Sequence, residues 1–265
     1  MPAPPTYQYQ FEDINLAILE IMRTGHRGTV LDLGCGRGRM GAELEKLGYR
    51  VTGIESNPEA CTTARQRLTE VLELDLTRVN AVQKELTGRQ FDWLVAADVL
   101  EHLVDPLGTL CFYRQYLHPD GRLVVSLPNV AVWDNRLRLL AGRFTYTDSG
   151  VMDRTHLRFF TFRTASQLVA SCGFVPLATS FEPGIARAFL PLVKRRIQVR
   201  GMSSQPGPSS LLDSRAYRLY VQFVLPPERG LTRLAKGLFA FRVVMVARKT
   251  AVPATRGPSD DQSRG

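Results

Sequence analysis

Residues 30–56, VLDLGCGRGRMGAELEKLGYRVTGIES, set three glycines within five positions between an apolar run and an amphipathic one. Backbone that bare admits left-handed conformations and the close approach of another molecule. A helix beginning just after it aims its unpaired N–H groups at whatever lies there. Val30–Leu33 reads as the end of a strand and Met40–Leu47 as the helix, so the turn Gly34-Cys35-Gly36-Arg37-Gly38 is a candidate nucleotide cradle. The next apolar run ends in Glu55, 19 residues after Gly36. An acid at that distance is placed to accept hydrogen bonds from a ribose diol.

The chain repeats the pattern. The runs TVLDL (29–33), RVTGIE (50–55), FDWLVAAD (91–98) and RLVVSLP (122–128) read as strands, with helices around Met40–Leu47, Pro58–Leu72 and Pro106–Leu117. Strand alternating with helix specifies an α/β, doubly wound, mostly parallel sheet. Helical spacing of Phe11, Ile14, Ala17, Ile18, Ile21 and Met22 adds an opening helix that Gly25 stops. Residues 129–162 lack a long period and are rich in aromatic, Arg and Thr side chains, as in an excursion over a site, with a short helix at Trp133–Leu140. A helix at Thr164–Cys172 and a strand at Val175–Phe181 resume the fold. A flexible stretch follows at 201–210. Leu231, Leu234, Ala235, Leu238 and Phe239 mark a late helix with its apolar stripe toward the sheet, and 240–249 a last strand. The organisation expected is a helical cap (1–27), a core (28–183) with a lid (129–162), a basic helical insertion and final strand (184–250), and a disordered tail (251–265).

Composition narrows the setting. No run of about 18 apolar residues spans a bilayer, and MPAPPTYQYQFED lacks the pattern of a signal peptide, so a soluble, cytoplasmic protein is expected. Cys35, Cys61, Cys111 and Cys172 form no CxxC pair, which argues for reduced thiols and against a zinc knuckle or disulfide framework. The net charge of +9 is concentrated late: residues 184–249 hold thirteen Lys/Arg against Asp213 and Glu228. That third suits an anionic surface or partner, or is a solvated basic face.

The glycines run GxGxG and follow an acid, Asp32, which would repel a pyrophosphate but could pair with the ammonium of an amino acid. Here the chain resembles the class I S-adenosylmethionine-dependent methyltransferases, whose first motif is a VLDLGCGxG turn. The likeness continues through Glu55, LELDL (72–76), FDWLVAADVLEHLVDP (91–106) and LHPDGRLVVSLPNV (117–130), covering about residues 28–180. It implies a Rossmann-like sheet with an antiparallel last strand and S-adenosyl-L-methionine as cofactor. By the same resemblance, Asp32 and the backbone of Gly34, Cys35 and Gly36 hold the methionine moiety, Glu55 with Ser56 the ribose hydroxyls, and Asp75 with Leu76 the adenine edge. Asp98 falls near the methionine end.

Methyl transfer from a sulfonium is a direct displacement, so the protein must align the acceptor and help remove its proton. His26 and His118 sit in turns and read as surface residues. In DVLEHL, positions 98, 101 and 102 share one face of a helical turn, and His156 comes from the lid. Asp98, Glu101, His102 and His156 could thus hold a divalent cation such as Mg2+ that lowers the pKa of an acceptor hydroxyl. The grouping resembles the metal site of some quinone-biosynthesis O-methyltransferases and of small-RNA terminal methyltransferases, with Asp98 where those carry the longer Glu. His102 or His156 as a general base without metal is the other reading, and the one preferred. The stretch SLPNV to RLLAGRFTYTDSGVMDRTHLRFFT resembles a bacterial subgroup linked with polysaccharide and methionine-pathway enzymes, which puts Asn129, Arg143, Phe144, Tyr146, Asp153, His156, Arg158 and Phe159 on the acceptor side. An O-methyltransferase of a small-molecule, saccharide or amphiphilic acceptor is the favoured reading. An RNA methyltransferase tracking phosphates with the basic third and a non-catalytic S-adenosylmethionine-binding module are the alternatives. Arg229, Arg233 and Lys236 beside the late apolar stripe would suit peripheral contact with an anionic membrane surface; the oligomeric state is left open.

Overall fold

The computed structural model describes residues 14–183, 222 and 225–250. The basic stretch VKRRIQVR, the flexible stretch 201–210 and the tail from 251 lie outside the described residues. In chain order the elements are α1 (Leu16–Thr24), β1 (Thr29–Leu33), α2 (Arg39–Lys46), β2 (Arg50–Glu55), α3 (Pro58–Ala64), β3 (Glu70–Glu73), α4 (Val79–Leu86), β4 (Phe91–Ala97), α5 (Pro106–Tyr113), β5 (Leu117–Pro128), α6 (Trp133–Leu140), α7 (Phe162–Ser171), β6 (Phe174–Pro183), α8 (Leu225–Leu234), α9 (Lys236–Phe239) and β7 (Ala240–Lys249). The strands form one seven-stranded sheet in the order β3-β2-β1-β4-β5-β7-β6. β1 to β5 run parallel, and β7 pairs antiparallel with both β5 and β6.

Side chains alternate across this sheet and divide the core in two. Val30, Val51, Trp93, Val95, Val124 and Val244 pack with Ile18, Leu19 and Met22 of α1 on one face. Leu31, Leu33, Leu94, Leu123 and Val125 pack with Leu110 and Tyr113 of α5 and Leu168 and Val169 of α7 on the other. Each such side chain, fully removed from water, contributes about 1.5–3 kcal/mol. Local signals place the helices on these faces. Asn15 accepts from the Ile18 N–H at 3.1 Å, Asn57 from Ala60 at 2.9 Å ahead of Pro58, and Asp105 from Gly108 at 2.8 Å ahead of Pro106. Thr161 and Thr164 close a reciprocal capping box on α7.

Several expectations need correction. The helix read over Pro58–Leu72 stops at Ala64, because residues 70–73 leave it to form the edge strand β3. The helix Val79–Leu86 was not foreseen; Arg78 gives it no side-chain cap and few apolar positions announce it. The late helix is two, broken at Ala235. Its apolar stripe divides: Leu231 and Leu234 are exposed and Ala235, Leu238 and Phe239 half-buried, while Glu228 and Thr232 are buried. The thiols are not all reduced, since Cys111 and Cys172 are joined in a disulfide that ties α5 to the end of α7, leaving Cys35 and Cys61 free and buried. No helix among the described residues is long and apolar enough to cross a membrane.

Candidate active site

The strand order reverses between β1 and β4, and a crevice outside the carboxyl ends of those strands is where such sheets bind ligands. Both motif-bearing turns arrive there. After β1, Gly34, Gly36 and Gly38 all have positive φ (68°, 55° and 74°), which side-chain-bearing residues rarely adopt. A Cβ on Gly34 would stand 2.6 Å from the Val99 methyl, so a side chain there would drive the two turns apart. Cys35 is buried against Gly53 of β2, where a Cβ would fall 2.5 Å from its sulfur. Asp32, 2 % exposed, is the penultimate residue of β1, just before this turn.

Glu55 connects the cradle to β2. Its Oε2 accepts from the Gly36 N–H at 3.0 Å, and its Oε1 from the Ser56 and Asn57 N–H groups at 2.9 and 2.8 Å. At the 19-residue spacing the carboxylate itself holds the glycine turn. A carboxylate has about four acceptor positions, so these three bonds are compatible with a further donor. Asp75 is exposed and engaged by the Thr77 N–H and hydroxyl at 2.8 and 2.7 Å, whereas Leu76 is buried, its carbonyl accepting from the Tyr113 hydroxyl at 3.2 Å. Ser56 is exposed beside them.

After β4 the chain turns at Asp98, φ 52°, into a 3-10 turn over Leu100–His102. The lid returns to the same place, with the Leu157 and Arg158 N–H groups donating to the Glu101 carbonyl at 2.8 and 2.9 Å. That return brings His156 against His102, ring centroids 4.8 Å apart. Ligating atoms of Glu101, His102 and His156 lie within 4.8 Å of one another. Asp98 does not stand in this group: its Oδ1 accepts from the Ser126 hydroxyl at 2.9 Å and its Oδ2 pairs with Arg242 at 2.9 Å.

The electrostatics of the three are unusual. Glu101 is 1 % exposed, and among the described residues no hydrogen-bond donor reaches either of its oxygens. Burial, reinforced by the charge of Asp98, holds its carboxyl well above the usual range. Burial likewise pushes both imidazoles below their ordinary pKa, His102 further through His156. His102 Nδ1 faces the Thr155 carbonyl at 3.2 Å and His156 Nδ1 the Val151 carbonyl at 3.0 Å. A carbonyl only accepts, so each Nδ1 carries the proton and each Nε2 offers a lone pair.

The acceptor-side residues separate. Asn129 is buried and structural: its amide donates to the Ala240 and Gly237 carbonyls at 2.8 and 3.3 Å and its oxygen accepts from the Ala131 N–H. Arg158 donates to the Val104 carbonyl at 2.7 Å. Arg143 is exposed. Tyr146 joins Phe144 and Phe159 in an edge-packed ring cluster, and Phe159 reaches His156 at 6.2 Å between centroids. His26 and His118 lie exposed at the other end of the sheet. Ser126 and Arg242, which hold Asp98, gave no signal in the sequence; Asp153, placed on the acceptor side by resemblance, shapes the turn by accepting from the Thr155 N–H and hydroxyl.

The methyltransferase-domain family model matches residues 7–179. The chain belongs to the class I S-adenosylmethionine-dependent methyltransferases. Among curated proteins it is similar to ubiquinone biosynthesis O-methyltransferases, 33 % identical over 101 residues to that of Cereibacter sphaeroides (38 % of this chain, 41 % of the relative). With that of Nitrosococcus oceani it shares 34 % identity over 124 residues (44 % and 52 %). The matches thus span about half the length of these relatives. In fold it is similar to a SAM-dependent methyltransferase from Archaeoglobus fulgidus (TM-score 0.55, 17 % identity, 88 % of this chain and 91 % of the other). A cyclopropane synthase from Mycobacterium tuberculosis is comparable (TM-score 0.54, 15 % identity, 90 % and 87 %).

Proposed function

We propose that this methyltransferase O-methylates an aromatic, amphiphilic hydroxyl compound that its Glu101–His102–His156 group holds through a divalent cation. The observation that carries this is the buried Glu101 carboxyl, reached by no donor among the described residues, beside two imidazoles whose Nε2 lone pairs are set by backbone carbonyls. Burying such a carboxyl alone is costly, and a cation supplies what the described protein groups do not. When bound there, an ion would lower the pKa of a coordinated hydroxyl, and S-adenosylmethionine would offer its sulfonium methyl for direct displacement. Two nitrogens and one carboxylate suit Zn2+, or Mn2+ as a first-row ion that takes imidazole more readily than Mg2+, which prefers oxygen.

The chain's own residues do the rest. Gly34–Gly38 and Glu55 form the cofactor cradle, Asp32 and Leu76 close its buried sides, and the ring cluster of Phe144, Tyr146 and Phe159 gives an aromatic acceptor a wall beside His156. The relatives named as O-methyltransferases support oxygen as the atom methylated. The test follows tritium from methyl-tritiated S-adenosylmethionine into an alkylated catechol. Label is expected in the catechol and not in its dimethyl ether. Absence of label from the catechol, with the cofactor bound, overturns the aromatic-hydroxyl reading.

An exposed face favours acceptors presented at a membrane. Leu137 and Leu140 of α6 and Leu231 and Leu234 of α8 are exposed, with Arg136, Arg138, Arg233 and Lys236 on the same two regions. Arg136 joins the regions by donating to the Gly237 carbonyl at 3.1 Å. Apolar side chains among cations suit the interface of an anionic bilayer. Sedimentation with phosphatidylglycerol-containing vesicles is expected to retain the protein, and with phosphatidylcholine alone to leave it in solution. The double variant Leu140→Asp/Leu234→Asp is expected to weaken retention by about tenfold; unchanged retention removes this face from the account.

A further inference from the structure

Arg242 lies on β7, opposite Pro128 of β5 and Glu182 of β6, at the end of the sheet where the site opens. Its side chain is largely buried and divided between two carboxylates, Nη2 on Asp98 and Nη1 on Glu182, each at 2.9 Å. Asp98 is the only non-glycine described residue with positive φ, a conformation that persists where surroundings over-determine it. The surroundings here are specific. Ser126 accepts from the Asp98 N–H at 3.1 Å and donates back to its Oδ1 at 2.9 Å, while Arg242 fixes Oδ2. The left-handed turn so fixed leads directly into Leu100–His102, and it decides where Glu101 and His102 stand relative to the lid.

We infer that Arg242 is a positioning residue of this active site: through Asp98 it locks the turn that presents Glu101 and His102 to His156. This rests on the reading of those three side chains as the working group. A planar guanidinium on two carboxylates fixes orientation as well as charge, which an ammonium does less well. The final strand thereby completes a site whose other parts come from β1, β2, β4 and the lid.

The test uses the 265-residue chain without metal or acceptor and reads the His102 and His156 ring N–H resonances by NMR, with S-adenosylmethionine affinity by calorimetry. Arg242→Met is expected to melt cooperatively and to displace or broaden both Nδ1–H signals, with cofactor affinity kept within about threefold. Arg242→Lys, which still reaches Asp98, is expected to restore them in part. Asp98→Asn, close to isosteric, is expected to displace the same signals, and Asp98→Asn/Arg242→Met no further than either change alone. Unmoved imidazole signals in folded Arg242→Met, or in Asp98→Asn should the former not fold, overturn the inference. So does a double variant whose displacements add. If the unaltered chain binds no S-adenosylmethionine, it is the cofactor reading that fails, and the imidazole comparison still judges Arg242 because it needs no ligand.

Discussion

Glu101→Gln is expected to stabilise the metal-free protein above neutral pH and to abolish tight binding of Mn2+. The native carboxyl is buried with no donor on its oxygens, and its pKa is raised well above that of the unfolded chain. At pH below the unfolded value of about 4.3 both states are protonated and nothing is lost. As pH rises from there to the folded pKa, the unfolded state releases its proton and the native state keeps it, so stability falls with pH. Gln keeps the shape and removes the ionisation, and the gain at alkaline pH is expected at about 1–3 kcal/mol, read from urea melts at pH 6 and pH 8.5. The same substitution removes the proposed anionic ligand, and Mn2+ affinity is expected to fall about 100-fold, measured by electron paramagnetic resonance. In the unaltered protein that affinity should rise about tenfold per pH unit while Glu101 remains protonated, because binding the ion releases its proton. The two histidines have lowered pKa values, so they compete for protons only on the acid side of neutrality. A Glu101→Gln variant less stable than the parent at pH 8.5 would show the carboxyl to be a structural partner instead.

Glu55→Ala is expected to reduce S-adenosylmethionine affinity about 100-fold, equivalent to about 2.7 kcal/mol. The carboxylate holds three backbone N–H groups, those of Gly36, Ser56 and Asn57, and charge-assisted bonds of this kind contribute about 1.5–3 kcal/mol each. Removing it loosens the turn and takes away the proposed ribose acceptor together. Glu55→Gln separates the two effects. Its oxygen can keep the Ser56 and Asn57 bonds, but its NH2 then faces the Gly36 N–H, donor against donor, and a loss of about tenfold is expected. Calorimetric titration of both variants checks this. Equal affinity in Glu55→Ala and the parent would remove the acid from the cofactor site.

Both glycine and acid were legible because they act locally: a left-handed turn needs glycine wherever it occurs, and Glu55 ends the strand adjoining its own turn. Four strands of the parallel core were legible for a similar reason, as short apolar runs between turn signals. β3 was not, because EVLE is a short, half-exposed edge that carries no apolar run and follows a helix without a clear stop. Asp98 shows the harder limit. Its spacing to Glu101 and His102 suggested a shared ligand set, yet Arg242 from the last strand and Ser126 from β5 take its carboxylate, and nothing near residue 98 announces either. Asn129 was put on the acceptor side by resemblance alone, and its amide donates to the Gly237 and Ala240 carbonyls at the start of the last strand. The late stripe held only in part, since the helix breaks at Ala235 and leaves Leu231 and Leu234 exposed while Leu238 and Phe239 are half-buried.

The measurement that tests the whole most directly is tritium transfer from methyl-tritiated S-adenosylmethionine to an alkylated catechol, run on chelator-treated protein before and after adding Mn2+. Little transfer before the ion, strong transfer after it, and none with His156→Ala is the expected result. Full transfer in the chelated protein, unaffected by Mn2+, would contradict the metal-held acceptor and leave an imidazole as the base.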